Sequence, residues 1–96
     1  MIDKKYKDLF LRIITKHAPT CKVYLFGSRA KGTHAESSDV DLAIDCGNEI
    51  SPQIMGLIKE SIEESVIPYF VDVVDFNVAD EELKKQIIKH GILWKS

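Results

Sequence analysis

Gly27-Ser28-Arg29-Ala30-Lys31-Gly32, then six residues, then Asp39-Val40-Asp41-Leu42-Ala43-Ile44-Asp45, is the stretch from which the fold can be read. From Asp39 onward, acid or small residues alternate with branched apolar ones, the period of a strand with one face on a core. Asp39 and Asp41 therefore share a face, roughly 6–7 Å apart along the strand. Two like charges at a strand tip cost stability unless something neutralises them, and Mg²⁺ held by one or two carboxylates together with phosphate oxygens is the usual partner. Upstream, Val23-Tyr24-Leu25-Phe26 reads as a strand, and Gly27 at its end lets backbone come close to a ligand. If Ser28 to Lys31 is a helical turn, its free N–H groups favour an anion there. Phosphate on one side and carboxylates on the other imply a bridging metal.

Two rival readings of the stretch fail on particular residues. Gly27 and Gly32 have the spacing of a P-loop, but Thr33-His34 follows where Lys and then Ser or Thr is needed. Asp39, Asp41 and Asp45 resemble a calcium loop, yet Ile44 stands where that loop needs Gly and Ile50 where it needs Glu.

Outward from this centre the chain alternates helix and strand. Residues 3 to 18 carry an apolar stripe of Ile2, Tyr6, Leu9, Phe10, Ile13 and Ile14, with Asp3 as N-cap and Pro19 as stop. His17 is read as a helix-end residue. Thr33 to Ser38 is expected as exposed loop, with His34 a loop residue. Asp45-Cys46-Gly47-Asn48 is a turn. Ser51-Pro52 opens a helix running to about Val66, with Ile54, Leu57, Ile58 and Ile62 buried and Met55 as core filler. Residues 69 to 76 have the aromatic and β-branched content of a buried strand, interrupted by Asp72 and Asp75 on opposite faces. An unpaired carboxylate in mid-strand is costly to bury, so Asp72 needs a cation more than Asp75, which is read as a strand-end acid. Asp80 caps the last helix, whose Leu83, Ile87 and Ile88 face inward, and Gly91 lies just past its end. Ile92-Leu93-Trp94 closes as a short strand or tail, with Trp94 a core or edge plug.

The composition sets limits on all of this. A chain of 96 residues is expected to be one domain, residues 1–96, and 45% hydrophobic with 29% charged residues is the balance of an ordinary soluble protein. A formal net charge of −2 argues against a dedicated nucleic-acid binder. Cys21 and Cys46 make no disulfide framework or zinc pattern, so both are expected as reduced thiols in a cytoplasm. Neither a signal peptide nor a bilayer-spanning run is present, which points to a cytoplasmic protein with no membrane partner.

The arrangement resembles the nucleotidyltransferase superfamily typified by DNA polymerase β, and most closely its minimal nucleotidyltransferase (MNT) branch. Gly27, Ser28, Asp39 and Asp41 carry the resemblance, with a third acid, Asp72, in the Val-Asp-Val-Val run that the family shows. It implies a small mixed sheet with helices packed on one face, the palm-like α/β (α+β) fold. It also implies two Mg²⁺ ions held by Asp39, Asp41 and Asp72, with Gly27 and Ser28 on the triphosphate. Arg29 and Lys31 are candidates for the nucleotide, or else form a solvated basic turn. Larger relatives append a domain that recognises the acceptor, and none is expected here. In the MNT branch the acceptor is typically a HEPN-domain helical protein, often encoded beside the MNT chain, and the two act as toxin and antitoxin. The implied activity is transfer of AMP from ATP to that partner. A contact-only antitoxin that binds nucleotide without catalysis is the alternative, and enzymes acting on antibiotics or free nucleic acid are a third class. Whether the chain forms a homodimer, and which nucleotide it prefers, stay open in the sequence.

Overall fold

A computed structural model describes residues 2–32 and 39–96 of the chain. The loop expected over Thr33 to Ser38, with His34, lies outside the described residues. The elements run α1 (Lys4–His17), β1 (Lys22–Phe26), α2 (Ser28–Lys31), β2 (Val40–Asp45), α3 (Pro52–Glu63), β3 (Val71–Asp75), α4 (Glu81–His90) and β4 (Ile92–Lys95), with a 3-10 turn at Phe76–Val78.

The four strands form one mixed sheet in the order β3-β2-β1-β4. β1 and β2 run antiparallel, joined through the Gly-Ser turn, and pair Phe26 with Asp41 and Lys22 with Asp45. β2 and β3 run parallel, which α3 permits by crossing between them, and pair Asp41 with Asp72. Alternation along β1 and β2 turns Val23, Leu25, Val40, Leu42 and Ile44 to one face, where Phe10 and Ile14 of α1 and Ile58 and Ile62 of α3 close a core. Trp94 packs against this core, its ring 6.0 Å from that of Phe10, and Met55 fills a gap at its margin, as the sequence suggests for both. On the other face Tyr24 stacks on Phe76 at 6.0 Å, with Lys84 of α4 over the Phe76 ring.

Most helix ends are written in local sequence. Ser51 Oγ accepts from Ile54 N at 3.2 Å with Pro52 in the first turn, and Asp80 Oδ1 accepts from Leu83 N at 2.8 Å. Asp3 holds the N-cap position of α1, but with its carbonyl: Tyr6 N and Lys7 N donate to it at 3.0 Å, and no side-chain cap forms. At Gly91 a side chain would overlap with the carbonyl of Ile87, so the chain can turn into β4 only with glycine there.

Four expectations need correction. α3 ends at Glu63 rather than near Val66, because the Ser65 hydroxyl donates to Ile62 O at 2.6 Å and accepts from Ile67 N, ending the ladder. Leu57 and Ile88, placed inward by helical spacing, are 46% and 62% exposed, while their neighbours Ile58 and Ile87 take the buried positions. β3 starts at Val71, leaving Phe70 84% exposed. Cys21 and Cys46 are joined in a disulfide rather than free. The β1–β2 register explains it, since Lys22 faces Asp45 and the next residues outward face each other across the ladder, with Cα atoms 4.3 Å apart. Among the described residues no helix is long and apolar enough to cross a membrane.

Candidate functional site

β1 ends, and β2 and β3 begin, at the same end of the sheet. The antiparallel step from β1 to β2 and the parallel step from β2 to β3 therefore bring Gly27, Asp41 and Asp72 into adjacent rows. Asp41 and Asp72 are direct neighbours, so they share a face at about the 4.8 Å strand spacing. Asp39, exposed just before β2, is two residues from Asp41. Ser28 begins α2, the short turn expected from the sequence, and Lys31 N closes it by donating to Gly27 O at 3.2 Å.

Glycine at position 27 is required twice. Its φ of +75° suits a residue without Cβ, and a Cβ there would overlap Asp41 Oδ2. The Gly-Ser turn thus lies directly against the Asp41 carboxylate, and anything larger would displace it.

Electrostatics sets this end of the sheet apart. Burial first, then the Asp72 and Asp39 carboxylates, push the Asp41 carboxyl above its ordinary value. All three causes act in the same direction. The donor set is all carboxylate oxygen, which suits a hard divalent cation rather than a soft one. Among the described residues, no three carboxylates close around a single metal-sized point, so the chain supplies donors without a finished cage.

The two basic candidates of the turn part company. Lys31 is exposed at the end of α2. Arg29 is only 3% exposed, its guanidinium 4.7 Å from the centroid of Tyr69, which meets Tyr6 edge-on at 5.6 Å. A solvated basic turn is therefore overturned for Arg29: it is packed into the join between α1, the Gly-Ser turn and the start of β3. Tyr69, its partner, escaped the sequence reading because an aromatic at the head of an apolar strand looks like core.

The structure inverts the burial of Asp72 and Asp75 that the sequence suggests. Asp72 is exposed, on an edge strand, while Asp75 is the buried one at 8%. Asp75 is satisfied by donors, accepting from Ile50 N at 2.7 Å and Asn77 N at 3.0 Å. What places Asp72 with the other acids is its register opposite Asp41. The reading of Asp75 as a strand-end acid holds. Asn77, not anticipated, ties the same corner by donating from Nδ2 to Asp45 Oδ1 at 2.8 Å.

Residues 11–96 match the family described as Polymerase beta, Nucleotidyltransferase. The chain is 32% identical over 90 residues to a probable protein adenylyltransferase MntA from Haemophilus influenzae, covering 92% of this chain and 79% of that one. Among solved structures, a toxin–antitoxin complex with AMP-PNP shares the fold at a TM-score of 0.78 and 22% identity, covering 92% of this chain and 71% of the other. A tri-AMPylated HEPN toxin of Shewanella oneidensis in complex with MNT antitoxin shares it at a TM-score of 0.75 and 18% identity, covering 97% and 71%.

Proposed function

The chain belongs to the Polymerase beta nucleotidyltransferase family, and from that premise we propose that it transfers AMP from ATP to a hydroxyl of a HEPN-domain partner, acting as its antitoxin. The observation that carries the reading is the juxtaposition of Gly27-Ser28 with Asp41 and Asp72 at one sheet end, where like charge is concentrated. The relatives support the choice of nucleotide and partner: one is named an adenylyltransferase, one toxin–antitoxin complex holds AMP-PNP, and one HEPN toxin is tri-AMPylated.

In this reading Asp39, Asp41 and Asp72 hold Mg²⁺, two ions by family resemblance, and Gly27 with Ser28 seats the β- and γ-phosphates through backbone N–H groups and the hydroxyl. Bound Mg²⁺ would supply neutralisation of the phosphate and acceptor oxygens. The acceptor oxygen forms a bond to the α-phosphorus and its proton passes to the Asp72 carboxylate. The α–β phosphoanhydride bond breaks, and pyrophosphate leaves with the electron pair on the Ser28 side. Arg29, held on Tyr69, fixes the base of the turn, and Lys31 is left to meet phosphate or partner from the surface.

Incubating the protein, ATP and Mg²⁺ with a purified HEPN-domain protein encoded beside it tests the reading by intact mass. Addition of one or more AMP units that disappears with Asp41→Asn is expected. A partner neutralised without any mass change, and equally by Asp41→Asn, would establish the contact-only alternative instead.

A further inference from the structure

Among the described residues β3 is an edge strand, with no strand paired to its outer side along the length that carries Asp72. The Phe70 carbonyl accepts from Val40 N at 2.9 Å, so it faces β2. Since successive residues of a strand alternate in direction, the N–H and C=O groups of Val71 and Val73 face outward, away from the sheet. Beside this edge lies a cleft of about 520 Å³ whose walls include Ile62, Ile67 and Phe70, with Lys59, Glu63 and Asp72 at its charged margin. Phe70 is 84% exposed and Val66 82%, apolar surface that packing among the described residues leaves uncovered.

The order of strands says what belongs there. Across the sheet end the Gly-Ser turn follows β1, Asp41 sits on β2 and Asp72 on β3. Displacement at phosphorus is in line, so the attacking oxygen enters opposite the leaving pyrophosphate. With the phosphates seated at the β1 side, the attacking oxygen must come from the β3 side, where the open edge and the cleft lie. From these observations we infer that an extended segment of the acceptor protein docks on the free edge of β3 as a fifth strand and sets a hydroxyl side chain beside Asp72.

The inference rests on the adenylyl-transfer reading above and adds how the acceptor is held. Backbone groups of Val71 and Val73 bond the docked segment, and Phe70 covers it on the acids' face. A residue in register with Asp72 shares that face, while its two chain neighbours turn to the opposite side, over Ile62 and Ile67. The segment preferred is therefore apolar, hydroxyl, apolar. The hydroxyl oxygen bonds the α-phosphorus as the α–β phosphoanhydride bond breaks, its proton goes to Asp72, and pyrophosphate leaves with the electron pair.

The test uses the intact protein, ATP labelled in its α-phosphate, Mg²⁺, and a heptapeptide library with a central Ser, Thr or Tyr and all residues represented on either side. Transfer favouring apolar residues on both sides of the hydroxyl is expected. Phe70→Ser should lower kcat/KM for the best peptide by about tenfold or more, as loss of a central aromatic anchor does, with Mg²⁺-ATP affinity unchanged. Val71→Pro removes an outward N–H that makes no bond to β2, so it should abolish peptide transfer while thermal unfolding stays cooperative. Nucleotide binding without transfer to any peptide overturns strand addition alone. So does transfer that is indifferent to the flanking residues and to Phe70→Ser. Failure of the unaltered protein to bind Mg²⁺-ATP overturns the transfer reading, and this inference with it.

Discussion

The two ends of the sheet both carry acids, and they treat them in opposite ways. At one end Asp75 is buried and accepts from Ile50 N and Asn77 N, Asp45 accepts from Gly47 N and Asn77 Nδ2, and the Cys21–Cys46 disulfide joins β1 to β2. At the other, burial and the Asp72 and Asp39 carboxylates push the Asp41 carboxyl upward. A carboxylate given donors stabilises the fold, whereas one given like charges destabilises it until a cation arrives. Asp72 and Asp75 show the contrast within a single five-residue strand. The tied end serves as the anchor, and the strained end is where binding free energy can be used.

The comparison can be broken most visibly at Asp41. Asp41→Asn should lower the rate of transfer by at least about 10²–10³-fold, as removal of a charged group from a preorganised site does. The same change should leave the ligand-free protein as stable as before or more so, since it removes repulsion; a clear drop in Tm would show that Asp41 is structural. Reduction of the Cys21–Cys46 bond should do the converse, costing about 3 kcal/mol for a loop of this length while Mg²⁺-ATP affinity holds, measured by thermal unfolding with and without reductant. Asp75→Ala leaves Ile50 N and Asn77 N without their acceptor and should cost about 1–3 kcal/mol, or roughly 4–8 °C in Tm per kcal/mol. Asp75→Ala should also leave nucleotide affinity in the folded fraction unchanged.

The smallest expected effect is one of pH. Asp41 holds its proton more tightly in the folded chain than in the unfolded one, so its contribution to stability falls as pH rises through its raised pKa. The ligand-free Asp41→Asn variant should thus gain over the unaltered protein at neutral pH, by no more than about 1 kcal/mol given the screening of a half-exposed group. That gain should vanish in acid, where both states are protonated. A gain that grew as pH fell would contradict the assignment of like-charge repulsion.

Much of this architecture is legible locally. Ser51-Pro52 and Asp80 announce their helices, and the alternation from Asp39 to Asp45 announces the strand that holds the acids. Legibility stops where long-range register decides. Nothing near Cys21 or Cys46 in the chain shows that the β1–β2 ladder sets them opposite each other, so an argument from compartment alone expects free thiols. Asp72 does lie beside Asp41, but the burial argument that singled it out fails, because burial along β3 depends on its being an edge strand. Arg29 reads equally as a phosphate contact or a surface cation of a basic turn, and its burial against Tyr69 is decided only by the start of β3. Phe70 looks like core because β-propensity cannot tell a residue inside a strand from one at its exposed threshold.

The central claim is that the strained end is a nucleotide site completed by metal. Calorimetric titration of ATP into the purified protein, with and without Mg²⁺, tests it most directly when the Asp39→Asn, Asp41→Asn double variant is titrated alongside. The account predicts binding that requires Mg²⁺ and is lost in the double variant while its unfolding transition remains cooperative. Binding of equal strength in the double variant, or binding indifferent to Mg²⁺, would contradict it.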